Sequence, residues 1–554
     1  MLDRRTFIGG ALGAAALVAL SACGRIAAED PGSGDVAADQ PLSVCIAPPR
    51  SIDPCGATDA SSLAVVWQLF DSLTSFDFAT GELTCLAADR YEVSDDARTF
   101  TFHLRQATFH NGDTVTSADF KRAWERIVNP ASAASEETEP SGLVSMLSVI
   151  EGYAELRAGA ARELTGVSCP DDATLSIALR TPYADFPYVL AHPALGPVPV
   201  LADEDPESFA AQPVGNGPFQ MAGSWEPGTA QIELARFDAY AGEPATLASV
   251  RLEIAEDVEQ AFQRFQTDEV DVCRCPVRDA HGAASSLGRV EDGSVMTGDD
   301  HFVCCTGLAT SMLACNVQGQ ALGNADVRRA LSLAIDRAYL ADTLYRETRR
   351  AADGVVSPAI AGYREAAWPY AAYDTARAEE LLDAVYPVLE DDARGLTVRL
   401  LYNADGGHRE VIEAVVENLA KVGVTCEPED VDIETLRERV AARDFDLVRM
   451  DWATDAPVMD GVLFPLFFSG NASSTNVSGY HDERVDELLA TARATLEDAN
   501  RIALLQEADA VIGRDCPVIP LLFQGAPYVG SERIEELSIA PQGRIDLARA
   551  QLGE

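Results

Sequence analysis

Basic residues are scarce in this 554-residue chain: 42 lysines and arginines stand against 88 aspartates and glutamates, so the formal net charge is −46. A surface of this sign repels nucleic acid and the anionic headgroups of lipids. We therefore expect no nucleic-acid partner and no membrane attachment through a basic patch.

Histidine is scarce as well, with 7 residues scattered along the chain. A secreted hydrolase needs a nucleophile, a base and an orienting group within reach of one another. The sequence contains no GxSxG, HExxH or SxxK arrangement with supporting context. We therefore expect no enzymatic activity, no cofactor and no metal site.

Long apolar runs are confined to the N-terminus. Arg4 and Arg5 precede an uncharged run that ends at Ser21, Ala22 and Cys23, which is the anatomy of a signal peptide. The string DRRTFI resembles a twin-arginine export signal, and LSAC resembles the lipobox of bacterial lipoproteins, whose cysteine carries lipid. An ordinary secretory signal cleaved near Ala22 is the alternative.

These motifs predict where the protein resides. We expect residues 1–23 to be a signal peptide with lipobox, residues 24–39 to be a flexible tether, and lipid on Cys23 to anchor the chain outside the bacterial cell membrane. No later uncharged run reaches the roughly 20 residues that a membrane-spanning helix needs.

The cysteines permit two interpretations. Without Cys23, eleven remain, so at least one thiol stays unpaired unless it bonds to another chain. The pairs Cys273/Cys275 and Cys304/Cys305 suggest a metal at first sight, but no CxxC or matching histidine spacing accompanies them. Burial or a disulfide is the favoured interpretation.

A strand, turn and helix are predicted in the first third of the chain. The alternation of TFTFHL (Thr99 to Leu104) is typical of a half-buried strand. Thr116 and Asp119 have the spacing of a capping box, and apolar residues then follow at helical intervals from Phe120 to Val128.

Strands and helices alternate in the second half. A helix should begin near Asn324, with Arg328 and Arg329 facing outward. The further predicted elements are strands at residues 396–403 and 445–450 and helices at residues 410–421 and 433–442.

This alternation predicts parallel βαβ units. Ligands of such sheets lie beyond the carboxyl ends of the strands. The rule points to Tyr402–His408 and Asp451–Pro457.

The order of these segments resembles the oligopeptide-binding proteins of ABC importers, within the peptide and nickel class of bacterial solute-binding proteins. The strings that carry the resemblance are SIDPCGATDASSLAVVWQLFDSLTSFD, YEVSDDARTFTFHLRQATFHNGDTVTSADFKRAWERIVNP, PVGNGPFQMAGSWEPG, DVRRALSLAIDR and YDTARAEELL. The resemblance implies an α/β, two-lobed periplasmic-binding-protein-like fold, with an extra subdomain on the first lobe and a ligand cleft at the hinge between the lobes.

Matching these strings gives domain limits. The resemblance implies that the first lobe comprises residues 40–72, 194–278 and 501–554, with the extra subdomain at 73–193 and the second lobe at 279–500.

The same resemblance implies site residues. In the family, an aspartate three residues after a tryptophan meets the peptide amine, and Trp452 and Asp455 have that spacing in RMDWATDAP. Arg449 and His408 match family residues that meet the peptide carboxylate. A loop cap for Asp455, a core role for Trp452, a solvated strand charge for Arg449 and a helix-start role for His408 are the structural alternatives.

Thr58, Asp59 and Ala60 match family residues that pair with the peptide backbone. The chain also departs from the family: LLF at residues 521–523 replaces a tyrosine-rich run, a tyrosine expected after Pro130 is missing, and Ala309 and Ala453 stand where some members carry paired cysteines.

The expected function is the capture of short peptides between two lobes and their delivery to the permease subunits of an ABC importer by a monomeric protein. Two alternatives stay open at this point: a carrier of a nickel chelate, haem or another small ligand, and a ligand-sensing receptor without transport.

Overall fold

A computed structural model describes residues 40–77, 80–132, 142–290, 294–389, 394–403, 408–541 and 543–553. The predicted signal peptide, the predicted tether and Cys23 lie outside the described residues, as do residues 133–141 and 404–407. None of the described helices is both long and apolar enough to cross a bilayer.

The strands of the described residues are short apart from two. They are β1 (Leu42–Ile46), β2 (Thr74–Phe76), β3 (Leu83–Cys85), β4 (Ala88–Val93), β5 (Thr99–Leu104), β6 (Val167–Asp171), β7 (Thr174–Ala178), β8 (Phe219–Met221), β9 (Gln231–Arg236), β10 (Ser249–Ile254), β11 (Val272–Arg274), β12 (Val295–Thr297), β13 (Phe302–Cys315), β14 (Arg350–Ala351), β15 (Thr397–Tyr402), β16 (Thr425–Asp430), β17 (Leu447–Ala453), β18 (Val518–Gly530), β19 (Ile534–Ser538) and β20 (Gln551–Leu552).

The described helices lie between these strands, singly or in groups. They are α1 (Ala60–Leu69), α2 (Ser117–Val128), α3 (Gly142–Met146), α4 (Tyr153–Arg157), α5 (Phe186–Val189), α6 (Leu201–Glu204), α7 (Pro206–Ala211), α8 (Val258–Gln266), α9 (Ala280–Leu287), α10 (Ala325–Ala334), α11 (Arg337–Tyr339), α12 (Thr375–Asp383), α13 (Arg409–Lys421), α14 (Ile433–Ala441), α15 (Asp460–Phe467), α16 (Glu483–Arg493) and α17 (Asp498–Asp515).

An 11-stranded sheet organises the described chain. Its order is β16-β15-β17-β13-β18-β11-β1-β10-β9-β8, with β14 paired to β18. β1 runs parallel to β10 and β11, and β15 runs parallel to β16 and β17. The predicted parallel βαβ units are therefore confirmed in the second half of the chain and recur in the first.

The long antiparallel strands β13 and β18 join the two halves of this sheet. Their pairing is interrupted between Thr306 and Thr310, so that Gly307, Leu308 and Ala309 stand opposite the single residue Gln524. Such a break bends the pair locally and leaves backbone groups outside the ladder. It lies where the two halves of the sheet meet.

Buried apolar side chains divide into two groups on either side of this break. Phe120 and Trp124 belong to a large cluster formed by residues up to 303 and after 533. Leu331 and Trp368 belong to two clusters built from residues 308–522. These groups are the cores of two lobes in an α/β fold.

The predicted limits of the lobes stay a prediction. Leu505 and Ile512 of α17 pack in the same cluster as Trp368, whereas the predicted first lobe resumes at residue 501. This packing indicates that the chain returns to the first lobe within β18, after α17.

The predicted extra subdomain, residues 73–193, contains an antiparallel sheet of its own, in the order β4-β5-β7-β6. Phe100 and Phe102 of β5 are buried, as the alternation predicts. The capping box of α2 is also confirmed, because the Asp119 carboxylate accepts from the Thr116 backbone N–H at 2.8 Å.

One prediction about α10 is wrong. Asn324 caps this helix as expected, with its side chain accepting from the Asp326 N–H at 2.9 Å. Arg328, however, is only 5% exposed and donates to the backbone carbonyls of Leu322 and Cys516 at 2.8 and 3.0 Å. Since carbonyl oxygens replace the water around the guanidinium, the cation is tolerated inside the lobe.

The glycines of PVGNGPF let two backbones approach closely. Asn216 exchanges hydrogen bonds with the backbone of Asp71, at 2.9 and 3.2 Å, and the Gly217 N–H donates to the Leu69 carbonyl at 2.8 Å. A Cβ on Gly215 would lie 1.9 Å from the Leu69 oxygen. This segment therefore fastens the end of α1.

The cysteines of the described residues other than Cys305 are free thiols. Six of them are buried: Cys45, Cys273, Cys275, Cys315, Cys426 and Cys516. Burial rather than a disulfide is thus the state of Cys273 and Cys275, while Cys304 and Cys305 are half-buried.

Candidate functional site

A cavity of about 720 Å³ lies at the carboxyl ends of the parallel strands of the first lobe. Ile46 ends β1, Arg274 ends β11, and residues 255–259 follow β10; all of them line the cavity. Parallel strands place their carboxyl ends at one edge, where ligands of open α/β sheets bind.

The opposite wall comes from the junction of the two lobes. It contains Gly307–Ala309 and Gln524–Ala526 from the broken strand pair and Ala453–Asp455 from the end of β17. Ala309 and Ala453 are direct partners in the register of β13 and β17. The cavity is thus bounded by both lobes and by the strands that join them.

Asp455 lies exposed on this cavity wall. Within the described part of the chain, its carboxylate makes no hydrogen bond or ion pair. Residues 453–455, at the end of β17, line this cavity, and their contact with a ligand stays a prediction. A free carboxylate here can bind a cation that enters the cavity.

His192 lines the cavity near Asp455 and is 8% exposed. Burial lowers the pKa of His192, while the Asp455 carboxylate acts in the opposite direction. Its Nδ1 accepts from the Ala194 N–H at 3.3 Å, so Nε2 carries the proton of the neutral ring. The sequence offered no signal for this histidine beyond its position before Pro193.

Arg449 and Asp451 form an ion pair behind this wall. Both project from the same face of β17, with Arg449 Nη1 2.5 Å from Asp451 Oδ2. Ser311 donates to the other carboxylate oxygen at 2.6 Å and accepts from Gln524 of the cavity wall at 3.3 Å. Arg449 is 7% exposed and does not itself line the cavity among the described residues.

His408 lies near the same ion pair. Burial lowers the pKa of His408, and the positive charge of Arg449 lowers it further. The structure thus brings His408 and Arg449 together, as the resemblance implies, but sets both behind the cavity wall. Their role toward a ligand carboxylate stays a prediction.

Trp452 points to the other face of β17 and into the core of the second lobe. Its indole N–H donates to the Gly461 carbonyl at 2.9 Å. Trp452 is not one of the described residues that line the cavity. It holds the strand that carries Asp455 against α15.

Thr58, Asp59 and Ala60 lie at the start of α1. The Asp59 carboxylate caps this helix by accepting from the N–H groups of Ser61 and Ser62, at 3.1 and 3.0 Å. Ala60 lines the cavity, and Thr58 is exposed beside it. The Asp59 side chain is therefore engaged in the fold.

Arg274 is a cavity residue that the sequence reasoning missed. It is exposed and stands opposite Tyr528 in the pairing of β11 and β18. The available signal was its position at the end of a short strand, between Cys273 and Cys275. Among the described residues, no three His, Cys, Asp or Glu side chains group so as to hold a metal ion.

Comparison with known proteins shows similarity over most of the chain. The dipeptide-binding protein DppE of Bacillus subtilis (strain 168) is 26% identical over 474 residues, which cover 83% of this chain and 82% of DppE. The oligopeptide-binding protein OppA of the same organism is 25% identical, with 95% of both chains covered.

A solved structure shares the fold. HbpA2 from Haemophilus parasuis superposes with a TM-score of 0.79 at 22% identity, covering 93% of this chain and all of that one. The profile of the family described as "Bacterial extracellular solute-binding proteins, family 5 Middle" matches residues 82–474. This match spans more than half of the sequence, and members of the family bind solutes outside the cytoplasm rather than catalyse reactions. The chain therefore belongs to the bacterial extracellular solute-binding proteins of family 5.

Proposed function

We propose that this protein captures short peptides in the 720 Å³ cavity between its lobes and delivers them to an ABC importer. The observation that carries the proposal is the free carboxylate of Asp455 on a cavity wall formed by both lobes. Peptide recognition in the names of DppE and OppA supports the choice of ligand.

Asp455 is proposed to bind the peptide amine. An ammonium enclosed in a cavity loses its water and is tolerated only when a charged partner meets it. Residues 58–60 and the interrupted pairing at residues 307–309 and 524–526 supply nearby backbone groups for an extended peptide. Trp452 is the aromatic residue that supports this wall, and Arg449 with His408 would add positive charge behind it.

Ligand binding is proposed to bring the lobes together. Only contacts that are better in the closed form can shift the hinge equilibrium toward closure. The bend between β13 and β18 is the proposed hinge, since both strands run through the two halves of the sheet. Closure would then be the state that the importer recognises.

Asp455→Asn should weaken binding of a peptide with a free amine at least about tenfold, because a charged hydrogen bond contributes roughly 1.5 to 3 kcal/mol. The peptide is the tightest binder from a library of di- to hexapeptides, measured by calorimetry on the mature chain. An N-acetylated copy of the peptide should bind both proteins equally.

Asp95→Asn is the matched control, since Asp95 is exposed and lies outside the cavity lining. Unchanged affinity of Asp455→Asn for the free-amine peptide would remove Asp455 from the site. Mass spectrometry of ligand that copurifies with the wild type tests the cargo itself: a nickel chelate or haem in place of peptides would overturn the proposal.

A further inference from the structure

Arg349 lies near two other arginines at one end of the candidate site. Burial lowers the pKa of Arg349, and the charges of Arg449 and Arg274 lower it further, whereas Asp451 acts in the opposite direction. Arg349 is therefore within electrostatic reach of two further guanidinium groups and of the Asp451 carboxylate. The cavity lining itself contains two arginines, Arg274 and Arg544, and four carboxylates, those of Glu256, Asp257, Glu259 and Asp455.

Two of these three cations are already engaged. Arg449 is paired with Asp451 at 2.5 Å and is 7% exposed. Arg349 stacks on the ring of Tyr345, with its guanidinium carbon 3.8 Å from the ring centre. Neither belongs to the lining of the cavity among the described residues.

Of these three arginines, Arg274 is the one that lines the cavity, as Arg544 also does. It is the last residue of β11, it is exposed, and its side chain makes no hydrogen bond or ion pair in the described part of the chain. Its neighbour Tyr528 on β18 also lines the cavity. Arg274 can therefore meet a ligand without breaking an internal contact.

We propose that Arg274 binds the carboxylate of the captured ligand, so that the preferred ligands are zwitterions with a free amine for Asp455 and a free carboxylate for Arg274. A guanidinium binds a carboxylate through two parallel hydrogen bonds, which distinguishes a free acid from an amide. Arg349 and Arg449 reinforce the positive potential behind it. The inference rests on the proposed peptide function and adds its charge specificity.

The test compares one peptide in two forms, the free acid and its C-terminal amide, by calorimetry on the full mature chain. The probe is the tightest-binding peptide selected from the library of di- to hexapeptides. The wild type should prefer the acid at least about tenfold. Arg274→Gln should lose that preference by weakening the acid alone, and its unchanged binding of the amide shows that the variant is folded.

Arg162→Gln is the matched control for charge, because Arg162 is exposed and outside the cavity lining; it should preserve the preference. Equal weakening of both peptide forms in Arg274→Gln, or no weakening of either, overturns the role of Arg274. A wild type that binds peptides without preferring the acid also overturns it, but leaves the proposed function standing. A wild type that binds neither form of any peptide refutes the proposed function and the carboxylate role together.

Discussion

Carboxylates in this acidic chain differ in their surroundings. Asp455 is exposed on the cavity wall and free to bind a cation. Asp509 is 3% exposed and accepts from the indole N–H of Trp368 at 2.7 Å. Burial raises the pKa of Asp509 to about 6, because the charged form loses its water.

The free energy of unfolding should therefore decrease as the pH rises from about 4 to about 6, because of the shifted pKa of Asp509. In this range the unfolded chain releases the proton first, so the native state binds more protons and loses stability with rising pH. Relative to Asp509→Asn, the wild type should lose up to about 3 kcal/mol between pH 4 and pH 7. Urea unfolding of both proteins at four pH values measures the difference.

Asparagine keeps the acceptor for Trp368, so the variant should fold. Parallel pH profiles for the two proteins would show that Asp509 titrates normally in the native state and would contradict this expectation.

Sequence reasoning reached Asp455 and missed Arg274 for a physical reason. The family resemblance supplied Asp455 through its spacing from Trp452, and the rule that ligands lie beyond the ends of parallel strands pointed to the same segment. Arg274 also ends a parallel strand, but β11 has three residues, too few to show a period. The side chains of His192 and Arg449 are buried by elements that are distant in the sequence. A local sequence pattern therefore does not report their surroundings.

Elements with a clear local pattern were predictable. The alternation in β5 and the capping box of α2 act within a few residues, and both are confirmed. Arg328 shows where such reasoning fails. Its position on α10 predicted exposure to solvent, but its guanidinium donates hydrogen bonds to the carbonyls of Asp515 and Cys516, nearly 190 residues away.

The PVGNGPF segment gives a prediction about an element. Gly215→Ala should destabilise the protein by roughly 1 to 3 kcal/mol, because the added Cβ would collide with the Leu69 carbonyl at 1.9 Å. Neither backbone can retreat without breaking the hydrogen bonds between Asn216 and Asp71. Urea unfolding at constant pH measures the change.

Gly223→Ala is the matched control, since no atom lies within 4 Å of its added Cβ. Equal stability of the two variants would mean that the end of α1 adjusts freely, contrary to the close approach described.

For the whole molecule, the sequence could indicate two lobes but not how they join. The pairing of β13 with β18 links residues more than 200 positions apart, and no local period reports such a contact. Alternation of strands and helices predicts the parallel units in the second half of the chain, whereas the continuous 11-stranded arrangement emerges only from the fold.

For the whole molecule, we also propose that the protein is attached to a membrane through lipid at Cys23. In the native host, the wild type should sediment with membranes, and Cys23→Ser should move to the soluble fraction, because acyl chains supply the affinity for the bilayer. Cell fractionation with immunoblotting measures this distribution.

Cys169→Ser controls for the loss of a thiol elsewhere, since Cys169 is half-buried in β6. Sedimentation of Cys23→Ser with membranes to the wild-type extent would exclude lipid on this residue as the anchor.

The buried cysteines have a consequence for the chemistry of the folded chain. Burial raises the pKa of the Cys45 and Cys516 thiols to about 11 and that of Cys275 to about 12. Since thiolates are the reactive form, these sulfur atoms resist oxidants and alkylating reagents while the lobes stay packed. Labelling of each of these cysteines by iodoacetamide would then report local opening of the structure around its sulfur atom.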